Sequence, residues 1–205
     1  IMAATLVSGI LGLVRERLLN TYFTTDELGI YTAAFRLPNL LFELTIMGAL
    51  STAFIPVFTS TLFSKSKTES FVLASHVINT SIIIVGLLLI LTVIFTRQIS
   101  YVIVPDFTET ERETMIFLTR LILVGQLIPL IVGNYFIGML QSFQQFIVPA
   151  VAPIVYNIGI IAGVYFFAPG FGLYAAVIGV VIGSLLFFLI QIPLVMRLGY
   201  SHSFR

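Results

Sequence analysis

Arg36, Asn39 and Glu43 stand in the stretch Ile30 to Phe58, IYTAAFRLPNLLFELTIMGALSTAFIPVF, which is otherwise apolar enough to sit in lipid. An ionisable side chain at membrane depth costs at least about 2.5 kcal/mol, so it faces a bundle interior or a watery cavity. Arg15 and Arg17 interrupt an earlier apolar run in the same way. If the two runs form an antiparallel hairpin about a polar turn near Asp26, Arg15 lies level with about Leu37. Arg15, Arg17 and Arg36 then converge roughly 15 Å from the turn, near mid-membrane. Like charges gathered in low dielectric repel unless an anion or a hydrated cavity compensates them. The planar fork of arginine suits phosphate, so the anion expected here is a phosphate or diphosphate, bound by Arg15, Arg17 and Arg36 with Asn39 beside them. The same residues also admit a structural role, in which Arg15 and Arg17 snorkel or pair with Glu16 and Glu43.

Glu43 follows Arg36 by seven residues, about 10 Å along a helix, so the two share a face without touching. It reads either as a proton or cation coupling site or as a structural counter-ion to an arginine of the first run. Pro38 and Gly48 interrupt the helix that carries these residues. A spanning helix both charged and broken is what transporters place at a substrate pathway.

Apolar runs of about the roughly 20 residues needed to cross a bilayer recur at about 2–23, 29–63, 71–96, 114–140, 147–168 and 171–196. The expected fold is therefore an all-α polytopic membrane protein with six transmembrane helices. The second run would be about 50 Å long as one helix, too long for a straight crossing of a core about 30 Å thick. It must tilt, bend at Pro38 or Gly48, or leave the bilayer. Thr24 to Leu28 reads as a polar turn and Arg97 to Glu113 as the longest polar segment. Lys65, Lys67, Arg197 and Arg205 fall on one side, opposite Asp26, Glu27 and the acidic loop Asp106 to Glu113. The excess of Lys and Arg in cytoplasmic loops then places both chain ends in the cytoplasm.

With 59% hydrophobic and 9% charged residues and a mean hydropathy of +1.10, the composition lies far outside the soluble range. A net charge of +1 without a basic stripe excludes nucleic acid as a partner. Zero Cys removes disulfides, thiolate metal sites and cysteine catalysis, and two isolated histidines offer no metal site. No phosphate-cradling loop, nucleophile elbow or HExxH pattern is present, so neither catalysis nor a cofactor is expected. Gly159-Ile-Ile-Ala-Gly163 and Gly179-Val-Val-Ile-Gly183 are small-residue patterns that let helices approach closely and read as packing. Asn134, Asn157 and Gln191 read as hydrogen-bonding glue between helices. The chain opens on Ile1 and ends on Arg205 without a tail, and so reads as a piece of a longer protein.

Gly12-Leu-Val-Arg15-Glu16, Ala34-Phe-Arg36-Leu-Pro38-Asn39-Leu-Leu41, Gly48-Ala-Leu-Ser51 and Ala53-Phe-Ile-Pro56-Val-Phe58 resemble, in order and spacing, the first two helices of the MurJ/MviN family. Val148-Pro149-Ala-Val-Ala-Pro153 followed by Asn157 resembles the start of that family's fifth helix. The resemblance covers nearly the whole chain. It implies the multidrug/oligosaccharidyl-lipid/polysaccharide exporter superfamily, in which two six-helix lobes surround a central cavity. This chain would be the N-terminal lobe, with the C-terminal lobe missing.

The implied activity is moving lipid II, the undecaprenyl-diphosphate-linked peptidoglycan precursor, from the cytoplasmic to the periplasmic leaflet of the bacterial inner membrane by alternating access. Membrane lipids and the second lobe are the other implied partners. The family's first-helix arginine carries over to Arg15, and the basic position of its A-F-[KR]-L-P-N motif to Arg36. The chain departs from the family pattern at Gly29, where many members have an acid. It also departs at Phe42-Glu43, where they commonly have Arg-Arg, and at Thr21, where they have a late arginine. Other readings are a polysaccharide-lipid or drug exporter of the same superfamily and a non-transporting scaffold for cell-envelope assembly.

Overall fold

The computed structural model describes residues 2–45 and 53–203, and Gly48 lies outside them. In chain order the helices are α1 (Met2–Tyr22), α2 (Thr25–Ala34), α3 (Arg36–Thr45), α4 (Ile55–Ser64), α5 (Lys67–Ile103), α6 (Glu109–Ser142), α7 (Ile147–Phe171), α8 (Tyr174–Leu189) and α9 (Ile192–Arg197). No strand occurs among the described residues, as an all-α membrane protein requires. Among the same residues α5, α6, α7 and the continuous run Tyr174–Arg197 are long and apolar enough to cross a membrane. Helix α1 has the length but carries Arg15, Glu16 and Arg17.

The polar segments are shorter than their composition suggests, because their side chains start helices. Thr24 accepts from the Glu27 amide at 3.3 Å while the Glu27 carboxylate accepts from the Thr24 amide at 2.8 Å. This reciprocal cap, with Asp26 and Glu27 in the first turn, satisfies donors that the helix start leaves open and matches its positive end. Thr25 to Leu28 is therefore the opening of α2 rather than a turn. Thr108 and Glu111 repeat the device at α6. Between α5 and α6 the segment read as polar is partly helical, since α5 runs on through Ile103. Arg97 pairs with Glu109 at 2.7 Å and Glu113 at 3.0 Å. Arg112, only 3% exposed, lies over the Tyr101 ring at 4.2 Å and donates to the carbonyls of Phe107 at 3.0 Å and Pro105 at 3.3 Å. Glu109 and Glu113 are thus taken up by ion pairing and Glu111 by the helix cap.

Proline sets the other irregularities. Pro38 has no N–H for the carbonyl of Ala34, and the helix is interrupted at Phe35, between α2 and α3. Pro129 inside α6 leaves the Gly125 carbonyl without its helical donor, and the Ser184 hydroxyl of α8 lies 3.5 Å from that carbonyl. This is the way bundles accommodate proline in lipid.

Helices α7 and α8 form the most extensive pair, and the two glycine patterns are why. A Cβ on Gly163 would strike the Gly179 backbone, and one on Gly159 would strike Gly183, so the helices touch main chain to main chain. Around this pair two apolar clusters assemble. One gathers Leu19, Ile30, Ala34, Met115, Ile122 and Val164 toward the end where α1 meets α2. The other gathers Phe58, Phe71, Ile78, Leu127, Tyr135 and Met139 toward the opposite end. The first half of α1 stays outside both, with Leu6, Ile10 and Leu13 more than half exposed.

The segment after α9 is tied back to the start of α5. Asn79 donates to the Ser203 carbonyl at 2.9 Å, and its side-chain oxygen lies 2.9 Å from His202 Nε2. His202 Nδ1 lies 2.8 Å from the Tyr200 hydroxyl. Tyr200 in turn meets Ser75 at 3.3 Å, and Ser75 accepts from the Ser203 amide at 3.2 Å.

Removing both Asn79 contacts by Asn79→Ala is expected to cost about 1–3 kcal/mol and to raise trypsin cleavage after Arg197, followed by gel assay in detergent. Unchanged cleavage would show the closure to be without consequence. Gly163→Leu is expected to lower the melting temperature sharply, since overpacking costs about 1–3 kcal/mol and the neighbour here is rigid backbone. Gly86→Leu, with nothing within 4 Å of its Cβ position, is expected to leave it unchanged.

Candidate functional site

Arg15 donates from Nη1 to Asn157 Oδ1 at 3.1 Å, joining α1 to α7. The remaining contacts of Asn157 run to the Pro153 carbonyl at 3.0 Å and to Ser8 at 3.4 Å. Asn157 is 8% exposed, and its amide holds Arg15 and Ser8 of α1 together with a carbonyl of its own helix. The guanidinium is not fully used. Among the described residues no carboxylate pairs with Arg15, and the ion pairs present involve Lys65, Arg97 and Arg112 instead.

Arg15 lines a cavity of about 330 Å³ together with Tyr31, Thr32, Asn39, Gln126 and Tyr156. A second cavity of about 370 Å³ shares Asn39, Gln126 and Tyr156 and continues past Pro38, Asn134 and Phe187. The two form a seam between the halves of the lobe. A third, of about 540 Å³, reaches Ser8, Gln141 and Pro153. Where Arg15 sits the wall carries an arginine, phenols and amides. Beyond Gln126 it turns mainly apolar, with Leu127, Leu130 and Ile137.

The hairpin geometry brings together only part of the expected set. Arg15 and Asn39 meet in the seam. Arg36 instead donates from Nη1 to the Ile103 carbonyl at 2.9 Å, capping the end of α5. The C-terminal carbonyls of a helix attract a cation, and the interruption at Phe35 reorients the residues that follow. Arg17 is exposed and lines none of these cavities. The three arginines therefore do not converge. Glu16 and Glu43 are exposed and make no ion pair among the described residues. Pro38 lines the seam beside the helix interruption. No group of His, Asp or Glu suited to holding a metal occurs among the described residues.

Tyr31, Gln126 and Tyr156 also line the site, although nothing in their sequence context marks them. Gln126 Nε2 donates to the Tyr156 hydroxyl at 3.0 Å, while Gln126 Oε1 is buried without a partner. The available signal was a lone amide one turn before Pro129, and a tyrosine adjoining Asn157. Neither stands out, because tyrosine and glutamine also occur in purely structural roles.

The sequence profile described as "Lipid II flippase MurJ" matches residues 19–205. The chain is 31% identical over 98% of its length to the "Probable lipid II flippase MurJ" of Borreliella burgdorferi, of which it covers 39%. It is 33% identical over 96% of its length to the "Lipid II flippase MurJ" of Thermosipho africanus, of which it covers 40%. A solved structure titled "Lipid II flippase MurJ, inward closed conformation" superposes on all of the chain with a TM-score of 0.82 at 28% identity, 43% of that structure being covered. The chain thus spans about two fifths of the length of the relatives it matches. With four fifths or more of its residues under the family profile and the fold shared, the chain belongs to the MurJ lipid II flippase family.

Proposed function

We propose that this chain is the N-terminal lobe of a lipid II flippase, and that the Arg15 cavity seats the diphosphate of the undecaprenyl-linked precursor. The observation that carries this reading is a half-buried guanidinium bound by one neutral amide and, among the described residues, by no carboxylate. A charge left uncompensated at membrane depth is stabilised by a hydrated cavity or by an anion that visits it. Diphosphate fits the guanidinium's free donors, and the apolar continuation of the seam fits a lipid-linked cargo. The names of the relatives point to lipid II as that cargo.

Arg17 and Arg36, exposed outside the seam, are assigned to the path the headgroup follows rather than to its seat. Asn39 adds a neutral hydrogen-bonding group at the junction of the two cavities. Glu43, exposed and unpaired among the described residues, is the carboxylate available for coupling to a proton or cation. Alternating access would come from rocking of this lobe against a second one. The membrane is the bacterial inner membrane. Lys65, Lys67 and Arg197, all at the helix ends on the side where α1 begins, favour a cytoplasmic location for both ends of the chain.

In a bacterium depleted of its own flippase, the full-length protein bearing this lobe is expected to restore growth. Arg15→Ala at equal membrane level, checked by blot, is expected to fail, while Arg15→Lys retains partial rescue through its charge. Equal rescue by Arg15→Ala would overturn the assignment of the seat, and failure of the unaltered protein would overturn lipid II as cargo.

A further inference from the structure

Two phenols share the cavity of Arg15, and neither has its proton committed to another described residue. Tyr156 on α7 accepts from Gln126 Nε2 at 3.0 Å, which leaves its own O–H as a donor. Tyr31 on α2 makes no hydrogen bond to any described residue. Its ring is fixed edge-on against Phe35 at 4.9 Å between centroids, so the hydroxyl is held without being used. Arg15 lies within electrostatic range of both phenols, and the phenols of each other.

We infer that Tyr31 and Tyr156 are positioning and specificity residues of the anion seat, donating their O–H groups to phosphoryl oxygens that Arg15 holds by charge. The inference rests on the reading of this cavity as the diphosphate seat. Both half-buried phenols line the cavity, and among the described residues none accepts a proton from either, so a polar ligand that enters meets two donors already in place. The required acceptor presents several oxygens within reach of one guanidinium and two hydroxyls, which a diphosphate does and a lone alcohol or amine does not. With Arg17 and Arg36 outside the cavity, neutral donors supply the contacts that further cations would otherwise make, without gathering like charges in low dielectric. Gln126 serves the same arrangement indirectly. Its amide, anchored on α6, fixes Tyr156 as an acceptor and so turns the phenol proton toward the ligand.

The test is binding of undecaprenyl diphosphate, undecaprenyl phosphate and undecaprenol to the full-length protein in detergent, with inorganic pyrophosphate as competitor. Tyr31→Phe and Tyr156→Phe keep the ring packing, and a melting curve for each verifies the fold. Each is expected to weaken undecaprenyl diphosphate by about tenfold, as loss of one hydrogen bond to a charged group does, with undecaprenol binding unmoved. The preference for diphosphate over monophosphate is expected to shrink in both. Competition by inorganic pyrophosphate would identify the phosphoryl group as the recognised element, and its failure would tie recognition to the lipid-linked form. If both variants bind undecaprenyl diphosphate like the unaltered protein while Arg15→Ala does not, the phenol role is overturned and the seat stands. If Arg15→Ala also binds unchanged, the seat itself is overturned, and the phenol role with it.

Discussion

A guanidinium drawn out of bulk water has to be solvated by something else, and among the described residues Arg15 has one acceptor, Asn157 Oδ1. Much of the fold can be traced to making that single contact secure. Asn157 sits on α7 where Gly159 and Gly163 press against Gly183 and Gly179 of α8, so its position is fixed by backbone contact rather than by adjustable side chains. Its own amide is held by the Pro153 carbonyl. Ser184, from the same stretch of α8, lies against the carbonyl that Pro129 leaves open on α6, and α6 carries Gln126 to the cavity wall. Arginine, amides and phenols are thus placed by helices that have little freedom to slide.

The distribution of packing follows the same logic. Apolar clusters fill both ends of the lobe, and the polar residues that line cavities fall in the seam between them. The exposed side of α1 and much of α5, including Ile83, Leu87, Ile90 and Ile94, carry the lipid-like surface expected of a membrane protein. Some charges are neutralised locally, as with Arg97 between Glu109 and Glu113, while Arg36 and Arg120 rest on backbone carbonyls. What sets Arg15 apart from these is its place on the wall of a cavity lined by phenols and amides.

Much of this was legible in the residues. The charged, proline-broken second run announced a cavity, and the helix does break beside Pro38, at Phe35. The two glycine patterns announced close packing, and they turn out to pack on each other. Other features were not legible because they depend on contacts between distant segments. Arg36 finds the Ile103 carbonyl 67 positions away, which hairpin depth alone does not reveal, and the expected convergence of arginines fails for that reason. The capping role of Thr24 and Glu27 turns a polar stretch into a helix start. Arg112 and Gln126 look unremarkable until α5 and α7 are laid beside α6. Tyr31 and Tyr156 lie far apart in the chain, and only the pairing of α2 with α6 and of α7 with α1 brings them to one cavity.

The most direct test of the central claim places a photoreactive amino acid at Thr32, on the cavity wall, in the full-length protein, and irradiates membranes supplied with radiolabelled lipid II. Crosslinking that is strong at Thr32, absent at the exposed Phe95 of α5 and lost when Arg15 is replaced by Ala is the expected result. Equal labelling at both positions, or labelling at Thr32 that survives Arg15→Ala, would contradict a headgroup seat built on that arginine.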